Sequence, residues 1–205
     1  MRNQEFNNQN NSPVVIYLAS RSPRRVELLK QIGLECLTLP SDIDETQFIN
    51  ETPENYVLRL AQQKAEACLL SLNAMQIAAP VLAADTTVVL AGLVLGKPDD
   101  DDDARRMLSA LSGNVHQVHT AVALAFEDEI EFVLSTTIVE MMVLSDAQID
   151  TYIATGEHRD KAGSYGIQGV AGAWIKNIEG SYSGVMGLPV YETAAILRKH
   201  GIGKF

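Results

Sequence analysis

"VVIYLASRSPRRVELLKQIGL", residues 14–34, sets an apolar run against an amphipathic one with a short polar hinge between them. Val14 to Ala19 reads as a buried strand. Ser22 is a suitable N-cap, Pro23 suits the first helical position and Gly33 closes the helix. Val26, Leu29 and Gly33 share one side, with Leu28 and Ile32 beside them, so the helix has an apolar face to lay on a sheet. A strand that hands over directly to such a helix starts an α/β arrangement.

The charge of this helix is out of place. Arg24 and Arg25 occupy its first turn, where the macrodipole is positive and an acid, not a base, would gain roughly 0.3–1 kcal/mol. An anion reverses the sign, because free backbone N–H groups, the dipole and two guanidiniums then converge on it. That combination suits a phosphate or polyphosphate. Two solvated arginines on an exposed turn are the competing account.

The totals narrow the partner. The chain has 205 residues, 46% of them hydrophobic and 20% charged, enough for a sizeable core under a soluble surface. With 26 acidic against 16 basic residues the net charge is −10, which disfavours nucleic acid and anionic membranes over most of the surface. Any phosphate site must therefore be a local basic pocket. Cys36 and Cys68 are far apart and lack metal-ligand spacing, which suits a reducing compartment without requiring one, and both read as core cysteines. Residues 1–13, "MRNQEFNNQNNSP", form a polar tail with no apolar targeting region, and nothing approaches the roughly 18 uninterrupted apolar residues of a membrane span. A cytoplasmic protein with a frayed start and one domain over 14–205 is the expectation.

Along that domain, "ECLTLPSDIDET" reads as a short strand and an acidic loop holding Glu45. "TPENYVLRLAQQKAEACLLSL" reads as a helix capped by Thr52, with Val57, Leu60, Ala61, Lys64 and Cys68 on one stripe. "PVLAADTTVVLAGLVLGKP" is a strand, an Ala91-Gly92 turn and a short returning strand that ends at Lys97. A helix opening on aspartates 99–103 follows, then two long strands near 117–126 and 131–143, then a helix with Ser145 and Gln148 in capping-box spacing. The glycine-dense stretch from 160 to 189 reads as loops around a strand near 173–178, and a last helix starts at Pro189. The expected architecture is α/β, in two lobes with a central cleft.

Several residues are candidates for chemistry. Asp85 lies inside an apolar strand, where a carboxylate is costly unless it is paired or holds a metal; a strand-end aspartate satisfying backbone N–H groups is the alternative. Lys64 is the odd member of an apolar stripe, although a lysine stem can snorkel along a core edge. Lys97 sits on a rigid Gly-Lys-Pro turn, where exposed lysines are common. Glu45 could share a divalent cation with Asp85, since Mg²⁺ uses one or two carboxylates plus phosphates and water. Gln168, among glycines in "YGIQG", can both donate to and accept from the imide edge of uracil or thymine. His116 and His119, three apart on a strand, point to opposite faces and cannot share a zinc. The five aspartates are a helix start rather than a metal site, and no GxxxxGK[ST] phosphate loop is present.

The blocks "LASRSPRR", "LAQQKA", "AADTTV", "GKP", "DKAGSYGIQG" and "GSYSGVMGLP" occur in the order used by the Maf family of nucleoside triphosphate pyrophosphatases, and the chain resembles that family from about Ile16 to Leu197. The resemblance implies a long mixed sheet flanked by helices, of the type shared with inosine triphosphate pyrophosphatases. It implies hydrolysis between the α and β phosphates with a divalent cation, Mg²⁺ or Mn²⁺. Asp85 falls at the position of the proton acceptor. Arg25, Thr86 and Gln168 fall where base preference is set, with residue types similar to the dTTP and UTP subfamily. Lys64 and Lys97 join the catalytic set, Ser20 and Arg24 the substrate-binding set, and Glu45 with Asp85 the metal set. A homodimer is left open. The alternative reading is a nucleotide-binding regulator of cell division, acting in septum formation without essential turnover.

Overall fold

The computed structural model describes residues 15–205 apart from 76, 127, 128 and 204; the expected tail of residues 1–13 lies outside the described residues. The first elements are β1 (Ile16–Leu18), α1 (Pro23–Gln31) and β2 (Cys36–Thr38). After them come α2 (Pro53–Ala74), β3 (Val81–Leu90), β4 (Leu93–Leu95) and α3 (Asp101–Leu111). The long strands β5 (Val115–Phe126) and β6 (Glu129–Met141) lead to α4 (Asp146–Thr155), β7 (Ile175–Glu179), α5 (Tyr182–Met186) and α6 (Val190–Lys199).

These make one seven-stranded sheet in the order β2-β1-β3-β5-β6-β7, with β4 paired to β3 off that path. β1 is parallel to both neighbours, and the other pairings are antiparallel, so the sheet is mixed. Period-two alternation divides the core. Val81 and Ala83 of β3 and Ala121, Ala123 and Ala125 of β5 meet Val57, Ala61, Ala65 and Cys68 of α2 on one face. Leu82, Ala84 and Val88 point the other way, to a larger cluster with α1, α3, α4 and α6. Alanines beneath α2 leave room for that helix to lie close to the sheet.

The local signals act as their chemistry requires. Thr52 and Asp100 accept N-terminal N–H bonds from Asn55 and Asp103, and Ser145 with Gln148 closes a capping box. The aspartates thus start α3 as expected. Ala91 (φ 49°) and Gly92 (φ 80°) supply the two left-handed positions of the β3–β4 hairpin turn. Some details differ from expectation. Ser22 stands at the α1 cap without a side-chain cap bond, and its N–H donates to Ser20 Oγ instead. Pro189 is the N-cap of α6 rather than its first residue, and α5 is a short helix inside the stretch read as loop. Cys68 is buried but Cys36, near the sheet edge, is only half-buried. His116 and His119 do face opposite sides, bonding Tyr165 and Thr136 respectively. Among the described residues no helix is long and apolar enough to cross a membrane.

Candidate active site

β1 is shorter than β3. It pairs with β3 only at Val81 and Leu82, and β4 takes up the same edge only from Val88 onward. Residues 83–87 therefore form a notch in the sheet, open on the side where β1 ends and α1 begins. Because α1 and α2 pack on opposite faces, the notch is a crevice at the carboxyl end of β1, where open α/β sheets bind ligands.

Alternation along β3 places Asp85 on the α2 face and Thr86 on the other. Asp85 is 8% exposed, and its Oδ1 lies 2.6 Å from Lys64 Nζ. The same ammonium lies 2.6 Å from Glu45 Oε1, so Lys64 is shared by two carboxylates. Its place on the buried stripe of α2 is what aims it across the sheet. Glu45 comes from the acidic loop, which α2 holds down: Tyr56 Oη donates to the Glu45 carbonyl (3.0 Å) and Arg59 Nη2 to that of Thr46 (3.0 Å). Burial raises the Glu45 carboxyl, but the Lys64 hydrogen bond and the charges of Lys64, Lys97 and Arg25 outweigh it, so the net shift is downward. Lys97, on the turn after β4, stands 3.8 Å from Glu45 Oε2 and is well exposed.

The arginines of the α1 first turn face the crevice from its other side. Arg24 Nε donates to the Met186 carbonyl (3.4 Å), and Arg25 Nε to that of Gly187 (2.7 Å). Arg25 also donates to Ser20 Oγ (3.1 Å) and Thr86 Oγ1 (3.2 Å). Burial pulls its guanidinium below the ordinary value, opposed by Asp85 and Glu45 and reinforced by Arg24. The Ser20 oxygen accepts from both Arg25 and the Ser22 N–H, so its own proton is free to turn outward. The misplaced charge of α1 is thus only partly exposed: Arg25 is built into the floor.

Two adjoining cavities fill the crevice. One, of about 380 Å³, is lined by Val88, Val118, Tyr165, Gln168 and Met186, together with Lys64, Asp85, Lys97 and Lys161. The other, of about 500 Å³, is lined by Ser20, Arg24, Glu45, Lys64, Lys97 and Lys161. The first has an apolar wall of Val88, Val118, Ile167, Val185 and Met186 beside its charged groups, which suits a base; the second is basic, in a chain of net charge −10. Every residue assigned from the sequence to the catalytic, substrate-binding or metal set lines one or both.

Sequence reasoning missed Lys161, Glu157 and Tyr165. Lys161 donates to the Glu157 carbonyl and lies against Gly166, where a Cβ would come within 2.7 Å of its Cε. Glu157 Oε2 accepts from the Val170 N–H (3.2 Å), and Tyr152 Oη accepts from the Gly166 N–H (3.2 Å), so both ends of the Gln168 loop are tied. The glycine spacing of that loop was the available signal for close packing around it.

An α/β protein with a nucleotide-sized crevice of this make-up is the class that fold and site define. Residues 15–200 match the family described as Maf-like protein, and the chain belongs to that family. It is 57% identical over 187 residues to a dTTP/UTP pyrophosphatase of Methylobacillus flagellatus, covering 91% of this chain and 93% of that one. It is 52% identical over 199 residues to a dTTP/UTP pyrophosphatase of Nitrosomonas europaea, covering 93% and 96%. Among solved structures it is similar to the Staphylococcus aureus Ham1 protein, with TM-score 0.45 and 19% identity, over 62% of this chain and 71% of that one.

Proposed function

We propose that this protein hydrolyses dTTP and UTP to the nucleoside monophosphate and pyrophosphate. The observation that carries the reading is Lys64 Nζ at 2.6 Å from both Asp85 and Glu45, where a base-sized cavity meets a basic one. The names of the relatives support it.

In this reading the base enters the cavity walled by Val88 and Val118 and meets the Gln168 amide, whose N–H can donate to O4. The triphosphate lies along Ser20, Arg24, Lys97 and Lys161. Asp85 receives the proton of the water that attacks the α phosphorus, and Lys64 holds that carboxylate in place. The cations offset charge that grows on the departing pyrophosphate. Arg25, its bonds turned to the protein, holds the floor.

Asp85 and Glu45 fit a divalent cation of the Mg²⁺ or Mn²⁺ kind. Each gives one oxygen to Lys64 and keeps a second, and Mg²⁺ takes one or two carboxylates when substrate phosphates and water complete its shell. Such a cation supplies charge against the triphosphate oxygens. The reading also includes one functional unit over residues 14–205 and a cytoplasmic location, with light scattering to decide the homodimer.

The test is pyrophosphate release from dTTP, UTP, CTP, dATP, GTP and 7-methyl-GTP with Mg²⁺ or Mn²⁺, and with EDTA. Metal-dependent turnover of dTTP and UTP is expected. Nucleotide binding without any pyrophosphate would favour the regulator instead.

A further inference from the structure

Thr86 sits in a chain of hydrogen bonds whose direction can be worked out. Thr86 Oγ1 and Thr120 Oγ1 are 3.0 Å apart, on register-paired positions of β3 and β5, and either hydroxyl could donate to the other. Both ends of the chain are fixed. Arg25 Nη2 lies 3.2 Å from Thr86 Oγ1, and a guanidinium only donates. Thr120 Oγ1 lies 2.8 Å from the Gly184 carbonyl, which only accepts. The single Thr120 proton therefore goes to Gly184, and the Thr86 proton must go to Thr120.

We infer that Thr120 is a specificity-determining positioning residue, which makes Thr86 a hydrogen-bond acceptor only towards the nucleotide. With its proton committed inward and one lone pair taken by Arg25, Thr86 has one lone pair left to offer the cavity it lines. A base that presents an N–H there, as the N3 of uracil or thymine does, is accommodated. One that presents a lone pair, as the N3 of cytosine does, faces two acceptors with no proton between them. An unpaired buried polar group is what lets a site reject a near-isostere.

The circuit is closed and sheltered. Thr120 is fully buried, and Gly184 belongs to α5, whose following residue Gly187 accepts from Arg25 Nε. The same arginine thus begins the chain and anchors the segment where it ends. Thr120 itself reaches the ligand only through Thr86.

This inference rests on the pyrimidine reading above, and the experiment separates the two. Steady-state kcat and KM for UTP and CTP, with calorimetric binding of UMP and CMP, are measured for the wild type, Thr120→Val, Thr120→Ser and Thr86→Val. Thr120→Val, which keeps shape and removes the hydroxyl, should narrow the UTP to CTP ratio of kcat/KM about tenfold, mainly through KM, the size expected for one polar contact. Thr120→Ser should restore it. Thr86→Val, which does not disturb the fully buried position, should narrow it also. A wild-type ratio in folded Thr120→Val, or in Thr86→Val if the former does not fold, overturns the inference. So does a wild type indifferent between UTP and CTP. No turnover with UMP still preferred over CMP would instead sink the pyrophosphatase reading and leave the polarity of Thr86 standing.

Discussion

Lys64 and Asp85 reach each other across the packing layer between α2 and β3, Nζ to Oδ1 at 2.6 Å, with both side chains largely shielded from water. Glu45 closes on the same ammonium from the loop above. One ammonium is therefore shared by two carboxylates that would otherwise repel one another, where the two cavities meet.

Removing the ammonium should have two separable effects. Lys64→Met is expected to lower kcat by about 10²-fold or more, the scale of a lost electrostatic partner at a reacting centre. It should also let Glu45 and Asp85 bind Mn²⁺ more tightly without nucleotide, read by electron paramagnetic resonance titration. Unchanged Mn²⁺ affinity would show that the two carboxylates do not share a cation.

Asp85→Asn keeps the side-chain oxygen that Lys64 bonds and loses the proton-accepting charge. Turnover should vanish while circular dichroism and UMP binding stay near wild type. Normal turnover in this variant would end the assignment of Asp85.

Gln168 is exposed and lines the cavity proposed for the base. Gln168→Ala should raise KM for UTP and dTTP about tenfold, with stability changed by no more than about 0.5 kcal/mol. A marked drop in melting temperature would make it a structural residue instead.

Gly163 lies in the left-handed region at φ +66°, and a Cβ there would meet Val88 Cγ2 at 2.9 Å. Gly163→Ala should destabilise the fold by about 1–3 kcal/mol. Because Val88 lines the cavity proposed for the base, KM for UTP should rise with it, measurable by chemical denaturation and kinetics together.

His116 is pushed down to about 4 by burial and bonds the Tyr165 hydroxyl at 2.7 Å. Its folded value is depressed, so the unfolded chain binds the extra proton first. Stability should be full above the ordinary histidine value of 6.5 and fall as pH drops from there towards 4, by at most about 1.4 kcal/mol per unit from this group. His116→Gln should flatten that part of the profile in denaturation curves taken at stepped pH.

The elements were legible where local chemistry dominates. Pro23, Thr52, the aspartates of α3, the Ala91-Gly92 turn and the Ser145–Gln148 box each act within a few residues, so sequence alone located them. Asp85 and Lys64 were legible for another reason, as charges on faces that should be apolar. Thr120, Tyr165 and Lys161 gave no such sign. A threonine in a strand or a lysine in a loop breaks no local rule, and their roles arise only when β3, β5 and α5 come together. The pairing of Arg25 with Gly187 was equally hidden, since 162 residues separate them.

The early end of β1 has a further consequence. The crevice is cut into the hydrogen-bonded frame itself, and the groups proposed for catalysis stand on β3, on α2 packed against β3, and on segments fastened to both. On the proposed reading they stand together before the nucleotide arrives. Heat should accordingly remove catalysis and fold in a single step, with residual activity tracking ellipticity through the melting transition rather than fading before it.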